Sequence, residues 1–147
     1  NIAGKYLPGK SDYISNELYI RMQKSKYINY YGIIDYSKMS NFYMDSDIFI
    51  LPSYGEGLPK SALEAASHGL PLILTDVPGS NECIFENGYL IPAKDPIALE
   101  KKMKEFINNK EILRSMSTKS LFIVKEKFEL TKIVNQYLEL FNNKMNS

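Results

Sequence analysis

The sequence predicts an α/β protein: a Rossmann-like parallel sheet with flanking helices and a helical C-terminal tail. Two observations carry this. Short apolar runs of strand length alternate with segments whose apolar residues recur at helical spacing, the pattern of strands joined by crossover helices. From Asp95 onward only helical periodicity remains.

The elements follow in order. Asn1-Ile2-Ala3-Gly4 reads as a strand running into a turn, and because it begins mid-strand it suggests that sequence is missing upstream. Ser11 or Asp12 is a candidate cap for a helix reaching about Lys24, with Ile14, Leu18 and Met22 on one face. Residues 28–31 form a short strand ending at Gly32, and residues 36–44 a helix. Ile48-Phe49-Ile50-Leu51 is the clearest strand, stopped by Pro52. A loop then leads to a helix over residues 60–68, with Pro59 suited to its first turn and Gly69 to its stop. Residues 70–75 are a second buried strand, and residues 78–93 are turn-rich. Helices are expected over 96–108, 110–127 and 131–143, the first capped by Asp95 and opened by Pro96.

Composition narrows the functional classes. The 147 residues suit one domain with a real core and leave little room for a second. A net charge of +1 does not favour a nucleic-acid-binding face, and Lys101, Lys102, Lys125 and Lys127 sit beside glutamates on helical segments. With Cys83 the only cysteine, an internal disulfide is excluded and a reducing compartment is indicated. No apolar run approaches the ~20 residues of a membrane-spanning helix. Cytoplasmic placement is therefore expected, with membrane contact, if any, at the inner face and through a longer parent chain.

The chemistry concentrates in residues 47–75. Ligands of open parallel sheets bind beyond the carboxyl ends of the strands, where the loop after Leu51 lies. Gly55 and Gly57 permit a tight backbone path and close ligand approach. The start of the next helix offers free N–H groups and the positive end of its dipole to phosphate oxygens. Glu56 lies before that helix and Glu64 inside it. Carboxylates repel phosphate but accept hydrogen bonds from hydroxyls. A diphosphate with hydroxyls on both sides satisfies the arrangement, as in a nucleoside diphosphate sugar.

The stretch Glu56-Gly57-Leu58-Pro59-Lys60-Ser61-Ala62-Leu63-Glu64-Ala65-Ala66, followed by Gly69-Leu70-Pro71-Leu72-Ile73, resembles the Glu-x7-Glu signature of retaining GT-B glycosyltransferases, closest to their large group 1 family. Asp47-Ile48-Phe49-Ile50-Leu51-Pro52-Ser53, residues 79–82 and Asn87-Gly88-Tyr89-Leu90-Ile91-Pro92 are similar to it as well. The resemblance implies the C-terminal, donor-binding half of such an enzyme. Glu64 would accept bonds from the donor ribose. Glu56, the catalytic position, would hold the transferred sugar near the reacting carbon. Backbone groups at Gly55, Gly57 and Leu58 and beside Pro59 would meet sugar and phosphate. Lys60 and Ser61 would add diphosphate contacts, and Gly32 and Ile33 would meet the base. It also implies a retaining hexosyltransferase of glycan, capsule or lipopolysaccharide synthesis needing no essential metal or other cofactor. The family's Arg or Lys pair and its acceptor domain would lie upstream, leaving the isolated chain inactive. A sugar-nucleotide epimerase, a phosphorylase or a non-catalytic nucleotide-binding module are the alternatives on the same fold.

Other residues carry blander readings. Asp45-Ser46-Asp47 mimics a metal-binding Asp-x-Asp but ends a helix and starts a strand, so capping is expected. His68 is assigned to the helix end and Cys83 to the buried core. Lys60 is either a phosphate contact or an ordinary surface cation, and Tyr54 either stacks on a ligand or fills its loop. Tyr27, Tyr30 and Tyr31 are expected to pack on a strand. The last helix, with Ile133, Val134, Tyr137, Leu138 and Phe141, is expected to pack in the core or between domains.

Overall fold

The computed structural model describes residues 1–7 and 14–145, which divide into two compact units, Asn1–Ser46 and Asp47–Ser147. In the first, β1 (Ile2–Ala3) pairs in parallel with β2 (Tyr30–Gly32), Ile2 opposite Tyr30 and Ala3 opposite Gly32. Between them runs α1 (Asn16–Lys24), and α2 (Tyr36–Met44) follows. The expected cap at Ser11 or Asp12 lies outside the described residues; Ser15 is the N-cap, its hydroxyl accepting from Leu18 N–H at 3.1 Å. Of the expected apolar face, Met22 is buried while Leu18 stays exposed. Tyr30 packs as anticipated: its hydroxyl donates to the Gly4 carbonyl at 2.6 Å and its ring meets Tyr19 edge-on. Tyr31 likewise meets Phe42, whereas Tyr27 is exposed.

The second unit carries β3 (Phe49–Leu51), α3 (Lys60–Ser67), β4 (Leu72–Thr75), a 3-10 turn (Asn81–Cys83), β5 (Gly88–Ile91), α4 (Pro96–Asn108), α5 (Lys110–Lys127) and α6 (Leu130–Met145). The strands form one parallel sheet in the order β3-β4-β5, with Phe49 opposite Leu72 and Leu72 opposite Gly88. Every residue of β4 is buried, as a central strand of a covered parallel sheet requires. β5 is the element the turn-rich reading did not resolve. Its Gly88 lies against the backbone of Leu72, where a Cβ would overlap the chain, so this glycine serves a strand and not a turn.

The helices end where local chemistry says they should. Gly69, with φ +79°, stops α3, and Asp95 accepts from Ala98 N–H at 2.9 Å to cap α4. Asn109 caps α5 through Glu111 and Ile112 N–H. α5 then pins the α3–β4 turn: Ser117 and Ser120 donate to the carbonyls of Gly69 and Leu70 at 2.6 and 2.8 Å. Asn87, fully buried, accepts from Phe85 N–H at 2.7 Å and so fixes the entry to β5.

The core joins Ile73 of β4 and Ile91 of β5 to Phe106 of α4, with Ile50, Leu99, Met103 and Met116 packed around them. Phe106 is 2% exposed, and Phe106→Ala is expected to cost about 3–5 kcal/mol through lost contact and a residual cavity. Thermal unfolding followed by circular dichroism checks this. At about 3 °C per kcal/mol the midpoint drops by roughly 10 °C, and a drop under about 3 °C would remove Phe106 from the core. Of the core or interdomain packing expected for the apolar face of α6, packing in the core holds only for the half-buried Ile133. Tyr137, Leu138 and Phe141 remain exposed, because no described residue of the chain covers them.

Candidate functional site

The site is built on the carboxyl ends of β3 and β4. β3 is stopped at Pro52, and residues 52–59 arch from it to α3. Neither Gly55 nor Gly57 adopts positive φ, so the expected tight path is not what they supply. A Cβ at either position would project into open space. What the two glycines leave is bare, accessible backbone, which a ligand can approach closely.

The left-handed residue that shapes this loop is Gly79, in the turn after β4, with φ +83°. A Cβ there would overlap the Gly57 carbonyl group and stand 2.8 Å from the Glu56 carbonyl oxygen. Gly79 therefore lets the turn after β4 lie directly against the backbone that carries Glu56. Sequence reading included residues 79–82 in a family resemblance but assigned them no role; the only local signal was the glycine.

Two hydroxyls complete the support. Ser53 Oγ donates to Glu56 Oε1 at 2.5 Å, and the buried Thr75 donates to the Ser53 carbonyl. The carboxylate of Glu56, half-buried, is thus held from within its own loop. Behind it lies Cys83, whose Sγ faces the Gly79 carbonyl at 4.0 Å. Burial first, then the charges of Glu82 and Glu56, push its thiol up to about 11. Cys83 is therefore protonated at neutral pH and belongs to the packing, as expected for a buried small hydrophobe. Ser80 is also fully buried, its hydroxyl without a hydrogen-bond partner among the described residues.

α3 supplies the other half of the site. Its N-cap is Pro59, which offers no capping side chain, and the first backbone bonds to the Pro59 carbonyl come from Ala62 and Leu63. The N–H groups of Lys60 and Ser61 therefore stand at an uncapped helix start, the arrangement that receives anions. Lys60 is exposed there with no ion pair among the described residues, and Ser61 is half-buried. Small residues let this helix seat closely: Ala62, Ala65 and Ala66 are buried, which turns the half-buried Glu64 along the opposite side. His68 takes the helix-end role, Nδ1 lying 2.8 Å from the Glu64 carbonyl. Leu58 is exposed beside the loop.

The structure thus gathers Gly55, Glu56, Gly57, Leu58, Pro59, Lys60, Ser61 and Glu64 into one loop-and-helix unit. Gly32 and Ile33 belong to the first unit, at the carboxyl end of β2, where Gly32 has φ +65° and Ile33 is exposed. On the β5 side of the loop, a cleft of about 480 Å³ is lined by Tyr54, Thr75, Pro92 and Lys94. Tyr54 is exposed, with the Lys94 ammonium 5.3 Å from its ring centroid. Asp45 sits at the C-cap of α2, its N–H bonded to the Asn41 carbonyl, and Ser46 donates to the Phe42 carbonyl at 2.9 Å. The Asp-x-Asp resemblance thus coincides with a helix stop.

A parallel α/β sheet with an uncapped helix and flanking carboxylates at its carboxyl ends is the class of architecture that places a ligand site beyond its strand ends. Comparison with known proteins makes this particular. The model of the family described as glycosyl transferases group 1 matches residues 2–109, across both units, and the chain belongs to that family. It is 33% identical over 104 residues to the Escherichia coli UDP-Gal:alpha-D-GlcNAc-diphosphoundecaprenol alpha-1,3-galactosyltransferase, a match covering 69% of this chain and 26% of the relative. The Anabaena protein HepE, solved in complex with UDP, superposes with a TM-score of 0.84 at 18% identity over 96% of this chain and 40% of its own. The C-terminal domain of a Francisella tularensis glycosyl transferase group 1 family protein superposes with a TM-score of 0.70 at 26% identity, over 78% of this chain and 62% of that one. The chain spans less than a third of the length of the curated relatives it matches, and corresponds to a C-terminal part of them. The GT-B architecture expected from the sequence is the one these structures share. Among the described residues no helix is long and apolar enough to cross a membrane.

Proposed function

We propose that this chain is the donor-binding domain of a retaining GT-B glycosyltransferase, which moves a hexosyl group from a nucleoside diphosphate sugar to a hydroxyl acceptor in cell-surface glycan synthesis. The observation that carries it is the pair Glu56 and Glu64 on either side of an uncapped helix start, with bare backbone at Gly55 and Gly57. The diphosphate lies on the N–H groups of Lys60 and Ser61, with the Lys60 ammonium beside it. Glu64 takes the ribose hydroxyls and Glu56 the sugar hydroxyls. The rest of a longer cytoplasmic enzyme supplies the acceptor site and a further cation for the leaving diphosphate.

Catalysis in this reading rests on preorganised charge. As the bond from sugar to diphosphate breaks, negative charge grows on the phosphate beside the helix start and positive charge on the sugar carbon beside Glu56. No divalent metal enters, since helix N–H groups and side-chain cations neutralise the diphosphate. Calorimetry of this chain with UDP tests the reading. Binding is expected, with affinity unchanged within about twofold, that is about 0.4 kcal/mol, when EDTA replaces manganese. Absence of binding by any nucleoside diphosphate, or binding that strictly requires manganese, would overturn it.

A further inference from the structure

We propose that Ser53 is a positioning residue that aims the Glu56 carboxylate, and that Thr75 holds Ser53 in place for this task. The inference rests on the reading of Glu56 as the sugar-side carboxylate and adds the device that orients it. Ser53 ends the Pro52 stop of β3, and its hydroxyl donates to Glu56 Oε1 at 2.5 Å. Thr75, the last residue of β4, is 1% exposed and donates its hydroxyl to the Ser53 carbonyl. A buried strand end thereby fixes the backbone of Ser53, and Ser53 fixes one oxygen of Glu56.

The physical case is that a glutamate has three rotatable side-chain bonds, and this one sits on a loop flanked by two glycines. Without a tether it would sample several rotamers, and a site that stabilises developing charge needs its carboxylate in place before reaction. A hydrogen bond from a neutral hydroxyl to a carboxylate is among the stronger kind. By occupying Oε1 it leaves Oε2 for the ligand and retains the negative charge. Local packing alone would not require this chain of contacts: Ser53 and Glu56 are only half-buried, and water could solvate both.

The test is a double-mutant cycle in the complete enzyme that contains this chain, with kcat and donor KM measured for each variant. Ser53→Ala is expected to lower kcat about tenfold with donor KM changed less than about threefold, the scale of one lost hydrogen bond to a charged group. Ser53→Thr, which keeps the hydroxyl, should stay within about threefold of wild type. In a Glu56→Gln background, Ser53→Ala should have under a twofold further effect, because Ser53 acts through the charge already removed. Thr75→Val, nearly isosteric, supplies an independent arm should Ser53→Ala fail to fold. It should lower kcat severalfold alone and hardly at all in the Glu56→Gln background. Equal losses from Ser53→Ala with and without Glu56 would overturn the positioning role and leave Glu56 standing. A Glu56→Gln enzyme with wild-type kcat would instead remove the reading of the site itself, and this proposal with it.

Discussion

Glu64→Ala weakens UDP binding to this chain by tenfold to a hundredfold, whereas Glu56→Gln leaves it within about twofold. The first figure follows from roughly 1.5–3 kcal/mol for a hydrogen bond between a charged group and a hydroxyl. Glu64 sits on α3 one turn beyond the anion-receiving end, with the helix held rigid by three buried alanines. In the proposed binding mode a carboxylate so fixed meets the ribose, which every nucleoside diphosphate carries. In the complete enzyme its loss weakens ground state and transition state alike, so donor KM rises more than kcat falls. In the proposed binding mode Glu56 lies on the sugar side, which UDP leaves empty. Its charge matters as the sugar carbon becomes cation-like, so Glu56→Gln lowers kcat by about a hundredfold with donor KM little changed. Exchange of the two phenotypes would show that the ligand lies in the opposite sense along the helix. Unchanged binding and turnover in both variants would show that the site is elsewhere.

Gly79→Ala lowers both the thermal midpoint and the affinity for UDP, although residue 79 touches no ligand in this reading. A left-handed φ of +83° with a side chain costs roughly 1–2 kcal/mol. Overlap of the new Cβ with the Gly57 carbonyl group adds about 1–3 kcal/mol, since the obstacle is backbone and cannot rotate away. At about 3 °C per kcal/mol for a chain of this size, the midpoint falls by roughly 6–15 °C. What moves to relieve the overlap is the loop bearing Glu56 and Gly57, so UDP affinity falls about tenfold in the molecules that remain folded. Gly55→Ala is the matched comparison. It has ordinary φ and open space around its Cβ, so its midpoint should stay within about 2 °C of wild type. Scanning calorimetry and binding isotherms on the two variants decide the matter, and equal midpoints would show that Gly79 does not support the loop.

Much of this arrangement was legible before any coordinates. The helices Tyr36–Met44, Pro96–Asn108 and Lys110–Lys127 lie where periodicity and capping residues put them, because those signals act within one or two turns. The site loop was legible for a similar reason. Its glycines, glutamates and helix start are adjacent in sequence, so their placement after a strand follows from local order alone. β5 was less visible. Its Gly88 resembles a turn signal, and only the close approach of the Leu72 backbone makes a glycine necessary inside a strand. Ser15 displaced the expected upstream cap, since several polar residues there could serve equally by composition.

The sequence by itself determined the fold class, the order of its elements and the segment from Pro52 to Glu64 on which the proposed site is built. Those depend on side-chain periodicity and on backbone requirements of neighbouring residues. The tertiary structure alone decided what holds that segment still. Thr75 reaches Ser53 across 22 positions, and Gly79 lies under Gly57, because β3 and β4 pair in parallel register and bring their carboxyl ends side by side. It also decided that Tyr137, Leu138 and Phe141 of α6 stay uncovered among the described residues. An amphipathic pattern states only that a face is apolar; which surface meets it is set by the three-dimensional packing of residues far apart along the chain.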